Sequence, residues 1–331
     1  MGAAFRPPTI GRVSTEIAVE IDGQYRAMKE GAGVLDRSTR GKLVVRGADA
    51  AEYLQGQLTN DIEALEPGSG CYAALLDRKG HLQADMRVLR LPEAGLWIDT
   101  EPEALPAVER HLRMYSIGRE LEVQNASGEW ALISLIGPAA LEAAGSGPLS
   151  PEHSLRSYER DGLEIVAVAS DLGVDLIAPA TEADALRESL LAGDAVEVTE
   201  EAAEILRVES GRPRFGREMS NATIPQEAGI DERAVSFTKG CYIGQETVAR
   251  LHYRGKPNRH LRGLRLDAPV SDGDEIRLGD REVGRVGTAV LSPALGPIAL
   301  AIVRREAEPG AAVKIGEASI AGEIVDPRFV A

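Results

Sequence analysis

The chain has 331 residues, of which 44% are hydrophobic and 27% are charged, and its formal net charge is −15 at pH 7. The length predicts two or three domains, because one hydrophobic core rarely serves more than about 250–300 residues. The negative charge repels phosphate and argues against binding to nucleic acid or to an anionic membrane. No apolar run approaches the ~18 residues of a membrane span, and residues 1–14 lack a secretory signal, so we expect a soluble, cytoplasmic protein. The five histidines are scattered, and no metal site is predicted.

The first 61 residues predict a surface segment, a strand and a helix. Residues 1–30 are mostly polar, and we expect them to wrap the surface. Residues 42–46 read as a strand, and Asp49 is a plausible N-cap of the helix that follows. The polar end of that helix, residues 57–61, indicates either a ligand contact or a capped helix with a solvated turn.

Residues 71–77 and 82–89 predict a β-hairpin, because the second run partly alternates and residues 78–80 supply the turn. A short strand at 96–99 and a helix at 103–114 follow.

From residue 130 the pattern repeats. Strands are predicted at 130–136, 163–168 and 174–178, a short helix opens at residues 137–138, and a longer one begins at Thr181 in the manner of a capping box. Strand and helix units mixed with hairpins indicate an α+β protein rather than a doubly wound sheet. Neither GxGxxG nor GxxxxGK[ST] occurs, so dinucleotide and P-loop sites lack their motif.

Residues 200–210 predict a helix that Gly211 ends. The charged stretch around its end contains Glu209 and Arg214. These side chains are either solvated helix-end charges or a ligand site, in which Glu209 accepts N–H groups of a pterin and arginines hold an acidic tail.

The two cysteines, Cys71 and Cys241, have different surroundings. No CxxC occurs, so neither a disulfide scaffold nor a four-thiolate iron–sulfur site built from this chain alone is predicted. Cys71 is expected to be a small packed residue. Cys241 lies instead in the polar run Lys-Gly-Cys-Tyr-Ile-Gly-Gln-Glu at residues 239–246.

We expect Cys241 to lead into a helix over about residues 242–251, where the helix dipole and Lys239 favour a thiolate. Three roles stay open for it: nucleophile, metal or cluster ligand, and structural thiol. His252 and His260 are candidate bases or simple surface residues.

Residues 261–326 show short alternating strands separated by turns, which predicts a small C-terminal β-barrel.

Residues 239–246 resemble the KGCYxGQE signature of the YgfZ family, folate-binding proteins that assist iron–sulfur enzymes, within the superfamily of the glycine-cleavage T-protein. Residues 207–216 are similar to the R-x-E-x-G-x-x-x-x-G stretch of T-proteins, and residues 292–303 are similar to the barrel domain that closes T-protein chains. The resemblance therefore extends over about residues 15–326. It implies a T-protein-like fold with three lobes around a central folate pocket. Two α+β lobes are expected within residues 1–258 and the barrel within residues 259–331.

The resemblance also implies a ligand and a set of site residues. Tetrahydrofolate is the implied cofactor, and Cys241, assisted by Lys239, is the implied functional thiol. The implied folate contacts are Asn60, Asp61, Glu209, Arg214, Tyr242, Gln245, Arg250 and Arg254. Arg250 and Arg254, with Lys256, form a basic cluster that is a solvated helix end, a clamp for the folate γ-carboxylate or a docking patch.

One departure separates the relatives. T-protein aminomethyltransferases carry Gly-Gly-x-x-Asp-Asp on the hairpin, and the first Asp assists folate chemistry. We match this motif to residues 79–85 and place Ala84 at that Asp, where an alanine cannot move a proton. Asp85 is its neighbour and should point to the opposite face of the strand.

We therefore expect a monomeric accessory protein that binds tetrahydrofolate and helps to assemble or repair iron–sulfur clusters. Its expected partners are iron–sulfur client enzymes or assembly proteins, and the resemblance implies a link to tRNA modification. The alternative is a folate-dependent aminomethyltransferase or demethylase that uses Asp85 or Asp61 for the missing Asp. A folate-independent thiol enzyme is a further alternative.

Overall fold

The structure, a computed structural model, describes residues 10–91 and 95–329. The part of the expected surface segment before residue 10 lies outside the described residues. The helices are α1 (Ile10–Glu30), α2 (Ala50–Gln57), α3 (Leu105–Tyr115), α4 (Ala140–Ala144), α5 (Ala183–Leu191), α6 (Glu200–Glu209), α7 (Pro225–Ala228), α8 (Asp231–Ala234) and α9 (Gln245–Arg254). The strands are β1 (Gly33–Asp36), β2 (Gly41–Arg46), β3 (Ser69–Leu76), β4 (Leu82–Leu91), β5 (Gly95–Thr100), β6 (Glu122–Asn125), β7 (Trp130–Ile136), β8 (Leu155–Arg160), β9 (Leu163–Ser170), β10 (Gly173–Pro179), β11 (Val196–Glu197), β12 (Arg259–Leu266), β13 (Glu275–Leu278), β14 (Arg281–Ser292), β15 (Gly296–Arg304), β16 (Ala312–Ile315) and β17 (Ile320–Val325).

The first lobe is a five-stranded sheet in the order β3-β4-β5-β2-β6, with α2 and α3 packed on one face. β3 and β4 form the predicted hairpin, and their antiparallel register shifts between Leu75 and Leu76. Alternate residues of β4 lie on opposite faces of the sheet. Ala84 belongs to the core under the helices, whereas Asp85 and Arg87 lie on the other face.

The second lobe is a six-stranded sheet in the order β11-β1-β7-β10-β9-β8, with α4 and α5 on one face. The predicted cap at Thr181 is wrong, because a 3₁₀ turn (Ala180–Glu182) precedes α5 and the N-cap position has no side-chain hydrogen bond. The strand β8 was not predicted, since its outward positions are exposed polar residues and its apolar alternation is weak.

The C-terminal region forms a closed barrel in the order β12-β15-β14-β13-β16-β17. Its core contains Leu264, Ile276, Ala301 and Val313, which are all buried. The predicted α+β fold class with a small C-terminal β-barrel is therefore confirmed.

The N-terminal segment differs from the expectation of a surface wrap, because α1 packs on α6. Tyr25 is 5% exposed and Met28 is 1% exposed, and both share a core with Leu206. Ile21, Tyr25 and Met28 are spaced at i, i+4 and i+7, which is the apolar stripe of a helix that buries one face. No helix within the described ranges has both the length and the apolarity needed to cross a membrane.

Candidate functional site

A polar cavity of about 210 Å³, here called the central cavity, lies between the inner faces of the two sheets and α6. Its polar lining comprises Arg37, Arg40, Tyr72, Asp85, Arg87, Glu101, Glu152, His153, Ser170, Asp171, Asp175, Glu200, Glu204, Arg207, Arg212, Arg214 and Arg233. The positions of these residues along the chain explain why they meet. Glu200, Glu204 and Arg207 are spaced at i, i+4 and i+7 and share one face of α6. Asp85 and Arg87 are two residues apart on β4 and share one face of the sheet. Seven arginines face seven acidic residues in this lining, so the cavity is balanced in charge.

Two arginines tie the sheets together around Asp99. Arg40 contacts Asp99 and Glu101, each at 2.5 Å, and Arg87 contacts Asp99 and Asp175. Burial alone would raise the pKa of Asp99, but the guanidinium groups of Arg40 and Arg87 outweigh burial and hold this pKa well below its usual range. The network is thus a fixed part of the wall, and its carboxylates are already paired.

Arg214 lines the central cavity, but three carboxylates occupy its guanidinium group. Its Nη1 donates to Glu200 at 2.7 Å and to Glu204 at 3.0 Å, and its Nη2 donates to Glu101 at 3.0 Å. The role of Arg214 toward an acidic ligand tail stays a prediction, and any such ligand would compete with these ion pairs.

Asp85 and Tyr72 form a partly buried pair on the wall of the central cavity. The Tyr72 hydroxyl donates to Oδ2 of Asp85 at 2.6 Å, and Oδ1 of Asp85 is buried without a hydrogen-bond partner. Burial raises the pKa of Asp85 to about 6. The carboxyl group can therefore change its protonation near neutral pH.

Ala84 does not stand at the position of the first T-protein aspartate, contrary to the prediction. Counted from Gly80 as the second glycine, the two aspartates of Gly-Gly-x-x-Asp-Asp fall on Gln83 and Ala84, so the first one corresponds to Gln83. Ala84 is fully buried in the core under α2 and α3. Asp85 does lie on the opposite face, as predicted, but that face is the central cavity. The cavity therefore retains a carboxyl group from β4, two residues beyond the T-protein position.

Glu209 is not among the residues that line the central cavity. Its carboxylate is 1% exposed, and its Oε1 accepts hydrogen bonds from Tyr25 at 2.9 Å and from Ser292 at 2.6 Å. Lys29 lies 3.6 Å from its other oxygen. The structure therefore places Glu209 between α1 and the barrel, and its predicted contact with a pterin remains a prediction.

Asn60 and Asp61 lie behind the wall of the central cavity. The Asn60 amide donates to the backbone carbonyls of Tyr72 at 2.8 Å and Arg233 at 3.0 Å, and both of these residues line the cavity. Asp61 accepts a hydrogen bond from Gln55 at 2.9 Å. Asn60 thus positions two wall residues through their backbone.

Lys239 lies at the end of α2. Its ammonium donates to the carbonyls of Gln55 at 2.6 Å, Leu58 at 2.7 Å and Asn60 at 2.7 Å. Burial lowers its pKa to about 8, so it keeps its proton at pH 7. An ammonium has three donors, and all three are used here, so none is left for the sulfur of Cys241.

Residues 239–246, called the thiol segment below, are held by packing at most positions. Tyr242 is 8% exposed in a core with Met219 and Val248. The helix α9 begins at Gln245, three residues later than predicted, because Gly244 has a φ of 83° as its N-cap. Cys241 therefore precedes the helix by a whole turn, and its side chain is exposed as a free thiol.

The remaining predicted ligands lie on α9, away from the central cavity. Gln245, Arg250 and Arg254 are not in the cavity lining, and Arg250 and Arg254 are exposed without an ion pair among the described residues. His252 stacks on Phe237, with the ring centroids 3.6 Å apart. The structure therefore does not bring these residues together with Arg214.

Tyr72 and His153 contribute to the cavity and were not predicted to do so. His153 lines it with a φ of 70°, and its Nδ1 is buried without a hydrogen-bond partner. Burial lowers the pKa of His153 to about 3, so its imidazole is neutral. The alternation of residues along β3 could have placed Tyr72 on the cavity face of the sheet. No local sequence pattern marks His153 as a cavity residue.

Two further spaces adjoin the central cavity. A crevice of about 260 Å³ shares Tyr72 and His153 with it and adds Cys71, whose pKa is raised by burial to about 12. A second cavity of about 560 Å³, called the side cavity, shares Leu172 with the central cavity and adds Lys29.

The model of the GCVT N-terminal domain matches residues 3–239, and the model of the glycine cleavage T-protein C-terminal barrel domain matches residues 259–330. An aminomethyltransferase of Exiguobacterium sibiricum is 29% identical, over 93% of this chain and 89% of its own length. An uncharacterized protein of Haemophilus influenzae is 31% identical, over 74% of this chain and 80% of its own length. The crystal structure of the glycine cleavage system aminomethyltransferase T from Bartonella henselae has a TM-score of 0.84 at 23% identity, over 94% of this chain and 89% of that one.

Proposed function

This chain belongs to the glycine-cleavage T-protein family, and on that premise we propose that it binds tetrahydrofolate and assists the assembly or repair of iron–sulfur clusters in client enzymes. In this proposal the thiol of Cys241 is the functional group. The observation that carries the proposal is the exposure of Cys241 within a segment in which Lys239, Tyr242 and Gly244 have structural roles.

Packing explains the residues around Cys241 but not Cys241 itself. Lys239 binds the end of α2, Tyr242 fills a core, and Gly244 supplies a left-handed N-cap. An exposed cysteine adds no packing and is open to oxidation. A reactive group that contributes nothing to the fold is best explained by a chemical or metal-binding role.

The residues present fit a folate. A reduced pterin presents several N–H donors, and the buried Oδ1 of Asp85 and the neutral imidazole of His153 are unpartnered groups on the cavity wall. The adjoining side cavity is lined by Lys29, whose side chain is 41% exposed and whose ammonium lies 3.6 Å from Glu209, and this cation could also meet the acidic tail. The central cavity would therefore hold the heterocycle, and the side cavity would hold the tail.

A chain of hydrogen bonds connects the proposed folate site to the thiol segment. Lys239 donates to the carbonyl of Asn60, the Asn60 side chain donates to the carbonyl of Tyr72, and Tyr72 donates to Asp85. These contacts support a common role for the two sites, because the cavity wall and the thiol segment are parts of one packed unit.

The C-terminal end of α9, the helix that follows the thiol segment, offers a place for a client. Arg250, Arg254 and Lys256 are exposed in a protein with a net charge of −15, and Tyr253 is 67% exposed beside them. We propose that this surface receives an iron–sulfur enzyme or an assembly protein, and that the protein acts as a monomer.

The test is a rescue experiment in the native host. The gene is deleted, the activity of a [4Fe–4S] enzyme is measured, and wild-type protein, Cys241→Ser or Cys71→Ser is restored. We expect wild type and Cys71→Ser to rescue the activity and Cys241→Ser to fail at equal protein level. Full cluster-enzyme activity in the deletion strain would overturn the proposal, and full rescue by Cys241→Ser would remove the thiol from it.

A folate-dependent aminomethyltransferase is the second candidate. It is favoured by Asp85, a carboxyl group in the cavity whose pKa is raised by burial to about 6, and two relatives that match 93% of this chain are named aminomethyltransferases. A one-carbon transfer assay on purified protein separates the candidates, because only the enzyme forms methylenetetrahydrofolate from tetrahydrofolate and an aminomethyl donor. Turnover that is lost in Asp85→Asn would favour this second candidate.

A further inference from the structure

Asp85 differs from every other acidic residue that lines the central cavity. Each of the others has an arginine partner within 4 Å: Glu101, Glu152, Asp171, Asp175, Glu200 and Glu204. Among the described residues, Asp85 has no such ion pair, and its one side-chain partner is the hydroxyl of Tyr72. Its second oxygen is buried and unpartnered.

A buried carboxyl oxygen without a donor is costly, because it has lost its water and gained nothing in exchange. The protein does supply a donor to Oδ2, and the Tyr72 hydroxyl at 2.6 Å fixes the plane of the carboxyl group. Oδ1 is thereby held in one place on the wall of a cavity. This is the geometry of a preorganised acceptor that a ligand completes.

We infer that Asp85, oriented by Tyr72, is the anchoring acceptor of the central cavity and receives an N–H group of the bound heterocycle. The inference rests on the proposed function, and it names the residue that this function assigns to the ligand. It takes that role in place of Glu209, which does not line the central cavity and whose buried oxygen without a hydrogen-bond partner, Oε2, lies 3.6 Å from the ammonium of Lys29.

The surroundings of Asp85 make such binding depend on pH. The groups around it are Tyr72 from β3, Arg87 from β4, Glu101 after β5, Arg40 between β1 and β2, Arg233 from α8 and His153 before β8. Burial raises the pKa of Asp85, the nearby Glu101 raises it further, and Tyr72 and Arg40 lower it. An N–H donor favours the ionised carboxylate, so a ligand bound near pH 6 displaces a proton from Asp85.

The experiment is calorimetric titration of the full-length protein with tetrahydrofolate at pH 5.5–8 in two buffers of different ionisation enthalpy. The variants are Asp85→Asn, which keeps the shape, and Tyr72→Phe, which removes the orienting hydroxyl. Asp184→Asn on the exposed side of α5 is the matched control for loss of one negative charge. Melting temperatures establish that each variant is folded.

We expect wild type to release a proton on binding near pH 6 and Asp85→Asn to bind at least about tenfold more weakly without that release. Tyr72→Phe should move the proton release to higher pH. The hydrogen bond from Tyr72 lowers the pKa of Asp85 in wild type, so its removal raises this pKa. Asp184→Asn should behave as wild type. Equal affinity and equal proton release in Asp85→Asn would overturn this inference and leave the proposed function standing. Absence of tetrahydrofolate binding by wild type would overturn both.

Discussion

The ammonium of Lys239 donates to the carbonyl of Leu58 at 2.7 Å, so the thiol segment closes the C-terminal end of α2. The carbonyls at a helix end lack intrahelical partners, and a cation there also opposes the negative end of the helix dipole. Lys239 was predicted as a partner of Cys241, but its three donors satisfy α2 instead.

We predict that Lys239→Met lowers the free energy of unfolding by about 2–3 kcal/mol, because three carbonyls lose a half-buried charged donor. Urea unfolding monitored by circular dichroism measures this. Lys79→Met in the exposed hairpin turn is the control and should change stability by less than about 0.5 kcal/mol. An unchanged free energy of unfolding in Lys239→Met would show that water satisfies the three carbonyls as well as the ammonium does.

Gly244 is the glycine of the thiol segment on which the fold depends. It has a φ of 83°, and a Cβ there would lie 2.9 Å from Cβ of Leu76 and would clash with the carbonyl of Asp77. We predict that Gly244→Ala lowers the free energy of unfolding by at least about 2 kcal/mol. Gly240→Ala is the matched control, because Gly240 has no positive φ and open space around it. Similar melting temperatures for the two variants would contradict this account.

These two residues show where sequence reasoning stopped. Strands with local apolar runs, such as β7 (Trp130–Ile136), were predicted with their bounds. The start of α9 was missed because the φ of Gly244 is imposed by the hairpin turn near Asp77, far away in the chain. The placement of Glu209 was missed because its partners Tyr25 and Ser292 lie 184 and 83 residues away. Local pattern therefore predicted the elements and the fold class, whereas long-range contacts decided which polar groups face the cavity.

Asp99, which lies behind the lining of the central cavity, should be the most sensitive carboxylate of its ion-pair network. It is fully buried between Arg40 and Arg87, and removing its charge leaves two guanidinium groups without their shared partner. We predict that Asp99→Asn lowers the free energy of unfolding, measured by urea denaturation, by about 3–5 kcal/mol. Glu52→Gln, which removes an exposed partner of Arg119, should cost less than about 1 kcal/mol.

The pH dependence of Asp99 has a defined sign. Its pKa is lowered on folding, so its contribution to stability is present above the ordinary carboxyl pKa and is lost as the pH falls below about 4. Unfolding free energies of wild type and Asp99→Asn should therefore converge in acid. A constant difference between them down to pH 3 would contradict the role of the charge.

The contribution of Asp85 to stability depends on pH with the opposite sign. Folding raises its pKa from 3.8 to about 6, so the folded state binds the proton more tightly and wild type loses stability as the pH rises from 4 through 6. We predict that the free energy of unfolding of Asp85→Asn rises by about 2–3 kcal/mol relative to that of wild type as the pH is raised from 4 to 7.5 in the absence of ligand. Urea unfolding at these two pH values measures the change. Parallel behaviour of the two proteins would mean that Asp85 titrates normally.

The two thiols should differ in reactivity. Cys241 is exposed, whereas Cys71 is partly buried against the first-lobe core and burial raises its pKa to about 12. Because the thiolate is the reacting species, we predict that iodoacetamide at pH 8 alkylates Cys241 to completion while Cys71 stays largely unmodified. Peptide mass spectrometry of the native protein measures this, and both sites should react in urea. Cys241→Ser should change the free energy of unfolding by less than about 0.5 kcal/mol. A large loss of stability in that variant would assign Cys241 a structural role and remove the observation on which the proposed function depends.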